Sequence, residues 1–135
     1  MKSLLLYAMI FCHIIADFNL QGCLANMKCK DWWQDHYPDK KYEDDYSAAM
    51  WIHAFAWSFM IHIPVIAVLI CRNMMTVTNT TILSLTFWTN MWVHFWVDMF
   101  KANVKLLNLW QDQLFHMLQI ILTHVCYVYV MGILK

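Results

Sequence analysis

The chain has 135 residues, of which 61% are hydrophobic and 13% are charged, and its formal net charge is zero. Soluble domains carry roughly 25% charged residues, so this composition indicates one domain embedded in lipid. A chain without a basic field does not attract nucleic acid, and we exclude that class of partner. The five cysteines contain no C-x2-C pair and are interpreted as reduced, which leaves no thiolate metal site.

Four stretches are long and apolar enough to cross a membrane as helices, which takes about 20 residues. They predict an all-α fold, an integral membrane four-helix bundle with antiparallel transmembrane helices. The predicted helices cover residues 3–27, 47–71, 80–101 and 109–134, with a polar, aromatic-rich loop at 28–46, in a single transmembrane domain 1–135. Lysine and arginine are more frequent beside loops one and three, so the positive-inside rule predicts that these loops are cytoplasmic.

Ionisable and amide side chains recur inside the predicted helices at four-residue spacing, which places them on one face of each helix. In chain order they are His13, Asp17, Gln21, His53, His94, Asp98, Lys101, Asp112 and His116. With a rise of 1.5 Å per residue, most of them lie within roughly 5 to 15 Å of the same membrane face. We therefore expect the antiparallel helices to bring these side chains together.

Three interpretations of this cluster are open. Hydrogen bonding between helices, worth about 0.6 kcal/mol per bond, suits Asn90, Gln119 and Thr123. It does not suit three carboxylates and three histidines at one depth, because an isolated charge costs about 2.5 to 3.5 kcal/mol there. A proton or cation relay needs polar groups through the whole membrane, and the half nearer the termini is poor in them. A metal ion is a partner of sufficient affinity, and we favour it.

The predicted metal site offers nitrogen and oxygen ligands, which suit zinc best and also manganese or iron. The candidate ligands for one or two ions are His13, Asp17, His53, His94, Asp98, Asp112 and His116. The candidate catalytic residues are Asp17, Asp98, Asp112, Lys101 and Gln21. A carboxylate that is not a ligand serves as general base, while Lys101, Gln21 and Gln113 position the substrate or stabilise an oxyanion.

The ordered motifs resemble those of a bacterial and phage integral membrane family known as domain of unknown function, number 3307. The resemblance covers nearly the whole chain. It rests on "HIIADFNLQG" followed by Lys28, on His53, on "HFWVDMFK" and on "DQLFH". It implies an integral protein of the bacterial inner membrane, encoded by a bacterium or a phage, and it implies no reaction. A looser similarity, in size and in membrane-embedded His/Asp motifs, leads to small bacterial membrane-bound metal-dependent hydrolases.

The function predicted on these grounds is metal-dependent hydrolysis of a lipid or lipid-linked substrate near one membrane face. One alternative is a proton or cation channel or carrier that uses the same cluster. Another is a non-catalytic phage membrane factor that binds a host membrane protein, and a homo-oligomer is compatible with each. The acidic run "YEDDY" at 42–46 would repel a strongly anionic headgroup at this face.

Overall fold

The computed structural model describes residues 2–133, and within them it is all-helical without any strand. The prediction of an all-α fold is confirmed. The helices are α1 (Lys2–Ile14), α2 (Leu24–Met27), α3 (Lys30–His36), α4 (Asp45–Cys71), α5 (Val77–Ala102) and α6 (Leu109–Val125). Single π-helical segments extend α1 over Ile15–Asn19 and α6 over Cys126–Val130, and a 3-10 turn covers Lys40–Tyr42.

Two helical segments are long and apolar enough to cross a membrane, Lys40–Cys71 and Leu109–Val130. The apolar helix Ser3–Asn19 is shorter, and α5 is long but carries many polar residues. On length and composition, the structure therefore supports two of the four predicted spans.

The helix predicted over 3–27 is not continuous. It ends with the π-helical segment at Asn19, and Gly22 then has a φ of 50°, a left-handed conformation that glycine adopts without steric cost. The chain turns there and continues as the short helix α2. The prediction of one continuous helix over 3–27 is therefore wrong, because the helix is interrupted at this glycine.

The other predicted boundaries differ less. Helices α4 and α5 begin two or three residues before the predicted starts at 47 and 80. The loop predicted over 28–46 contains α3 and the 3-10 turn. The fourth helix was predicted to reach residue 134, which lies outside the described residues.

Helix α4 packs against α1 and α5, and α6 packs against the same two helices. The inner face of α4 forms a fully buried apolar row of Trp57, Ile61, Val65 and Leu69. The row begins at Trp57, which contacts His94 of the polar cluster, and continues from there away from loop 28–46.

The outer faces of the four long helices carry large apolar side chains that the fold leaves exposed. Examples, at helical spacing, are Leu4, Tyr7 and Phe11 in α1, Phe55 and Phe59 in α4, Trp88, Trp92 and Trp96 in α5, and Leu114 and Leu118 in α6. The interior, by contrast, holds buried histidines, aspartates and a lysine. Water would not stabilise this distribution, and an apolar surface of this extent marks a contact with lipid or protein.

Candidate metal centre

Six ionisable side chains from four parts of the chain meet in the interior, and each is at most 3% exposed. They are Asp17 after α1, His53 on α4, His94 and Asp98 on α5, and Asp112 and His116 on α6. Three overlapping trios among them have potential ligand atoms within 4.8 Å of one another, Asp17/His53/His94, His94/Asp98/His116 and Asp17/Asp112/His116. These buried histidine and aspartate groups can hold a metal ion.

Local helix geometry positions these side chains. Asp17 lies within the π-helical segment, an irregularity that is frequent at functional sites. Asp112 lies in the first turn of α6, where the positive end of the helix dipole favours a carboxylate. The start of α6 is fixed by a capping box in which the Asn108 side chain accepts from the backbone N–H of Gln111 at 3.0 Å.

A first centre is formed by His116 Nε2, Asp98 Oδ1 and Asp112 Oδ1. The nitrogen lies 3.4 Å from the Asp98 oxygen and 3.3 Å from the Asp112 oxygen. All three atoms are buried, and none has a hydrogen-bond partner among the described residues. Ligands about 2.0 to 2.2 Å from one tetrahedral ion lie about 3.3 to 3.6 Å apart, and the nitrogen lies at about this distance from each of the two oxygens.

A second centre lies on the other side of Asp98. His53 Nε2 is 3.4 Å from Asp98 Oδ2 and 3.4 Å from Asp17 Oδ1. His94 Nε2 is 3.1 Å from the same His53 nitrogen, and His94 Nδ1 is 3.2 Å from His116 Nδ1. Asp98 therefore directs Oδ1 towards His116 and Oδ2 towards His53.

Each of the three carboxylates is also held from outside by a donor. Lys28 Nζ donates to Asp98 Oδ2 at 2.6 Å, and Lys101 Nζ donates to Asp112 Oδ2 at 2.6 Å. Gln113 Nε2 donates to Asp17 Oδ2 at 2.7 Å. Partners of this kind orient the ligands of metal sites.

Most of the predicted site residues meet as expected, and His13 is the exception. Its Nδ1 accepts from Trp57 Nε1 at 2.7 Å, and its Nε2 pairs with Gln113 Oε1 at 3.0 Å. Both ring nitrogens are therefore engaged, so His13 is placed as a neighbour of the cluster. Gln21 lies near the rim, where its Nε2 donates to Asp17 Oδ1 at 3.2 Å.

Two residues that contact the cluster were absent from the predicted site, Trp57 and Lys28. The Trp57 ring stacks on His94 at 4.1 Å between ring centres. It follows His53 by four residues, so the same spacing rule would have found it. Lys28, which is 6% exposed, comes after the turn at Gly22, and no periodicity predicts that it folds back onto Asp98.

The segment after the first helix is attached to the far end of α5 and the loop that follows. Asn103 Nδ2 donates to the Lys28 carbonyl at 3.0 Å, and Lys30 N donates to Asn103 Oδ1 at 2.7 Å. On the surface, Lys105 Nζ donates to Asp31 Oδ2 at 2.6 Å, and this carboxylate raises the pKa of Lys105. These contacts keep loop 28–46 over the cluster.

The charges around the cluster are nearly balanced. With neutral histidines, the carboxylates Asp17, Asp98 and Asp112 face the ammonium groups of Lys28 and Lys101, which leaves one net negative charge. Buried charge needs compensation, so the cluster attracts one further cation. A divalent ion together with one hydroxide would bring the total to zero.

Comparison of the chain with protein-family models, with curated proteins and with solved structures gave no match.

Proposed function

We propose that this chain is an integral membrane metal-dependent hydrolase whose substrate is a lipid or lipid-linked molecule. The observation that carries the proposal is the first centre, where His116 Nε2, Asp98 Oδ1 and Asp112 Oδ1 converge without hydrogen-bond partners among the described residues. Two carboxylate oxygens that face the same ring nitrogen are stabilised by a positive charge, which either a proton on His116 or a metal ion supplies. The mixed nitrogen and oxygen set suits zinc, with manganese or iron as alternatives.

We further propose that α1 and α5 also cross the membrane, so that all four long helices form the bundle. The polar residues that lower the hydropathy of α5, among them Asn90, His94 and Asp98, point into the protein. The outer face of the same helix carries Trp88 and Trp92, both more than half exposed. A transmembrane helix that faces lipid on one side and polar residues on the other has a lower mean hydropathy than a helix that is surrounded by lipid. The bacterial inner membrane, with loops one and three cytoplasmic, remains part of this proposal.

A divalent ion bound here would supply a nucleophile at neutral pH, because such ions lower the pKa of a bound water towards about 7. The residues of the chain then have separate tasks. Asp98, Asp112 and His116 would hold the ion, and Asp17, which faces both Gln113 and His53, is placed to accept a proton. Lys101, whose side chain is 28% exposed, lies at the open edge of the cluster and is placed to stabilise a developing oxyanion.

Metal content is the first test. The protein is purified in detergent, stripped with EDTA, reloaded with zinc and analysed for bound metal. We expect about one ion per chain in the wild type and less than one-tenth of an ion in His116→Gln. The matched control is His62→Gln, since His62 is equally buried on α4 but outside the cluster, and it should keep its metal. Equal metal in both variants would refute the site, as would its absence from the reloaded wild type.

Hydrolysis is tested separately with the metal-loaded protein and a bacterial lipid extract. We expect hydrolysis products that mass spectrometry detects, and we expect the rate of product formation to be at least a hundredfold lower in Asp98→Asn. The control is Asp31→Asn, which changes an exposed aspartate of the loop. If the protein is fully loaded with metal and forms no product from any lipid, it is a metal-binding protein and the proposed hydrolase activity is refuted.

A cation or proton carrier is the second candidate, and one observation favours it. Beyond the cluster, Asn90 Nδ2 donates to Thr123 Oγ1 at 2.9 Å, and His62 Nε2 is buried without a hydrogen-bond partner among the described residues. Polar groups thus extend along the bundle beyond the cluster. Proton flux into liposomes that Asp98→Asn abolishes, in a protein that binds no metal, would support the carrier.

A further inference from the structure

A lateral groove between α5 and α6 opens beside the cluster. Its volume is about 300 Å³, and its lining includes Val93, Phe115, Leu118, Leu122 and Cys126. Val93 and Phe115 directly precede the cluster residues His94 and His116 in sequence, so the groove begins beside the cluster. From residue 115 to residue 126 it follows α6 for about 16 Å, away from loop 28–46.

The polar residues of the lining are turned towards one another. Asn90 Nδ2 donates to Thr123 Oγ1 at 2.9 Å, and Gln119 Nε2 donates to the backbone carbonyl of Asn90 at 2.6 Å. Thr86 Oγ1 donates to the carbonyl of Ile82 at 2.9 Å. Because these donors are used within the protein, the groove presents a mainly apolar wall.

We infer that this groove binds the acyl chain of a membrane lipid whose polar end lies at the His/Asp cluster. The inference rests on the proposed function, whose substrate class it specifies. It is carried by the match of polarity: along α5 and α6, the charged cluster near the loop-bearing face is followed by an apolar groove towards the middle of the bundle. A lipid in the adjoining leaflet has the same order, with its headgroup at the face and its chain beneath.

One side-chain acceptor in the lining is also left without a partner within residues 2–133. Gln119 Oε1, in the lining, is buried without a donor among the described residues. A hydroxyl or amide N–H near the polar end of a lipid would supply one.

The test measures lipid binding without metal and without turnover. The full chain is purified in detergent, stripped of metal with EDTA and of lipid by washing, and titrated with palmitoyl-oleoyl-phosphatidylethanolamine under native mass spectrometry. We expect one phospholipid per chain, bound at least tenfold more weakly by Leu118→Trp, which fills the groove. Leu114→Trp is the matched control, because Leu114 is exposed one turn away on α6 and does not line the groove.

Equal binding by the wild type and both variants would overturn the inference. Both leucines are at least half exposed, so neither substitution by tryptophan disturbs the core. If Leu118→Trp does not fold, Thr89→Trp replaces it, because Thr89 is an exposed residue of the same lining. If the protein binds lipid but cannot be reloaded with zinc, the proposed hydrolase is refuted and the lipid-binding groove is supported. If the protein binds zinc but no lipid, the metal centre is supported and the lipid-binding groove is refuted.

Discussion

Replacing Lys28 by methionine separates the two cations that we assign to Asp98. Lys28 Nζ lies 2.6 Å from Asp98 Oδ2, and the two side chains are 8% and 1% exposed. Methionine keeps the length of the side chain and removes its charge. Without metal, the change leaves a buried carboxylate without its partner, and breaking such pairs costs about 3 to 5 kcal/mol.

With a divalent ion at the centre, the outcome should differ. The ion and the lysine attract the same carboxylate and repel one another, and two unit charges 4 Å apart interact by about 4 kcal/mol at an effective dielectric of 20. Removing Lys28 therefore destabilises the metal-free protein and leaves metal affinity unchanged or higher. At about 3 to 5 °C per kcal/mol for a chain of this length, we expect the metal-free melting temperature to fall by about 10 to 20 °C.

The assay is thermal unfolding in detergent, with and without saturating zinc. Lys30→Met is the control. The Lys30 ammonium lies at the surface, 3.4 Å from Glu43 and 5.9 Å from the centre of the Tyr46 ring, and exposed ion pairs contribute about 0 to 1 kcal/mol. We expect zinc to raise the melting temperature of Lys28→Met by more than that of the wild type. A Lys28→Met protein that is as stable as the control without metal, or that loses zinc as His116→Gln does, would refute this reasoning.

Three further predictions concern other contacts of the cluster and the loop. Gln113→Leu removes the donor to Asp17 and should weaken zinc binding by about 10- to 100-fold in a chelator competition, whereas Gln34→Leu, in the loop, should not. Trp57→Phe leaves His13 Nδ1 without its donor, so unfolding should become easier by about 1 to 3 kcal/mol; an unchanged denaturation midpoint would contradict that contact. Lys105→Met removes the surface ion pair with Asp31. The Asp31 carboxylate raises the pKa of Lys105, so the pair stabilises the fold at neutral pH. This contribution disappears as the pH rises through the raised pKa. The melting temperatures of wild type and Lys105→Met should therefore converge only at strongly alkaline pH, and a difference that closes near neutrality would contradict the assignment.

The cluster could be predicted from the sequence because it depends on helical spacing alone. His94 and Asp98, and likewise Asp112 and His116, are four residues apart, and any helix places such pairs on one face. The rise per residue then assigns a depth to each pair. Residues that depend only on these two rules, such as His53, were found.

What could not be predicted depends on breaks in the regular helix. The turn at Gly22 and the path of the next segment bring Lys28 back to Asp98, and hydropathy carries no information about that path. Hydropathy also does not determine the number of transmembrane spans, because the polar residues of α5 lower its mean hydropathy although they lie inside the protein. A mean hydropathy over a window does not record which way each side chain points.

The hydrogen bonds through His13 have a fixed direction. The indole of Trp57 can only donate, so His13 Nδ1 must accept, and its Nε2 must carry the proton that reaches Gln113 Oε1. The amide of Gln113 is thereby oriented with its N–H groups towards Asp17 and Asp112, at 2.7 and 3.1 Å. One apolar ring on α4 thus selects the tautomer of a histidine on α1 and the orientation of an amide on α6. A tryptophan that hydropathy counts only as core determines which way two carboxylates are polarised.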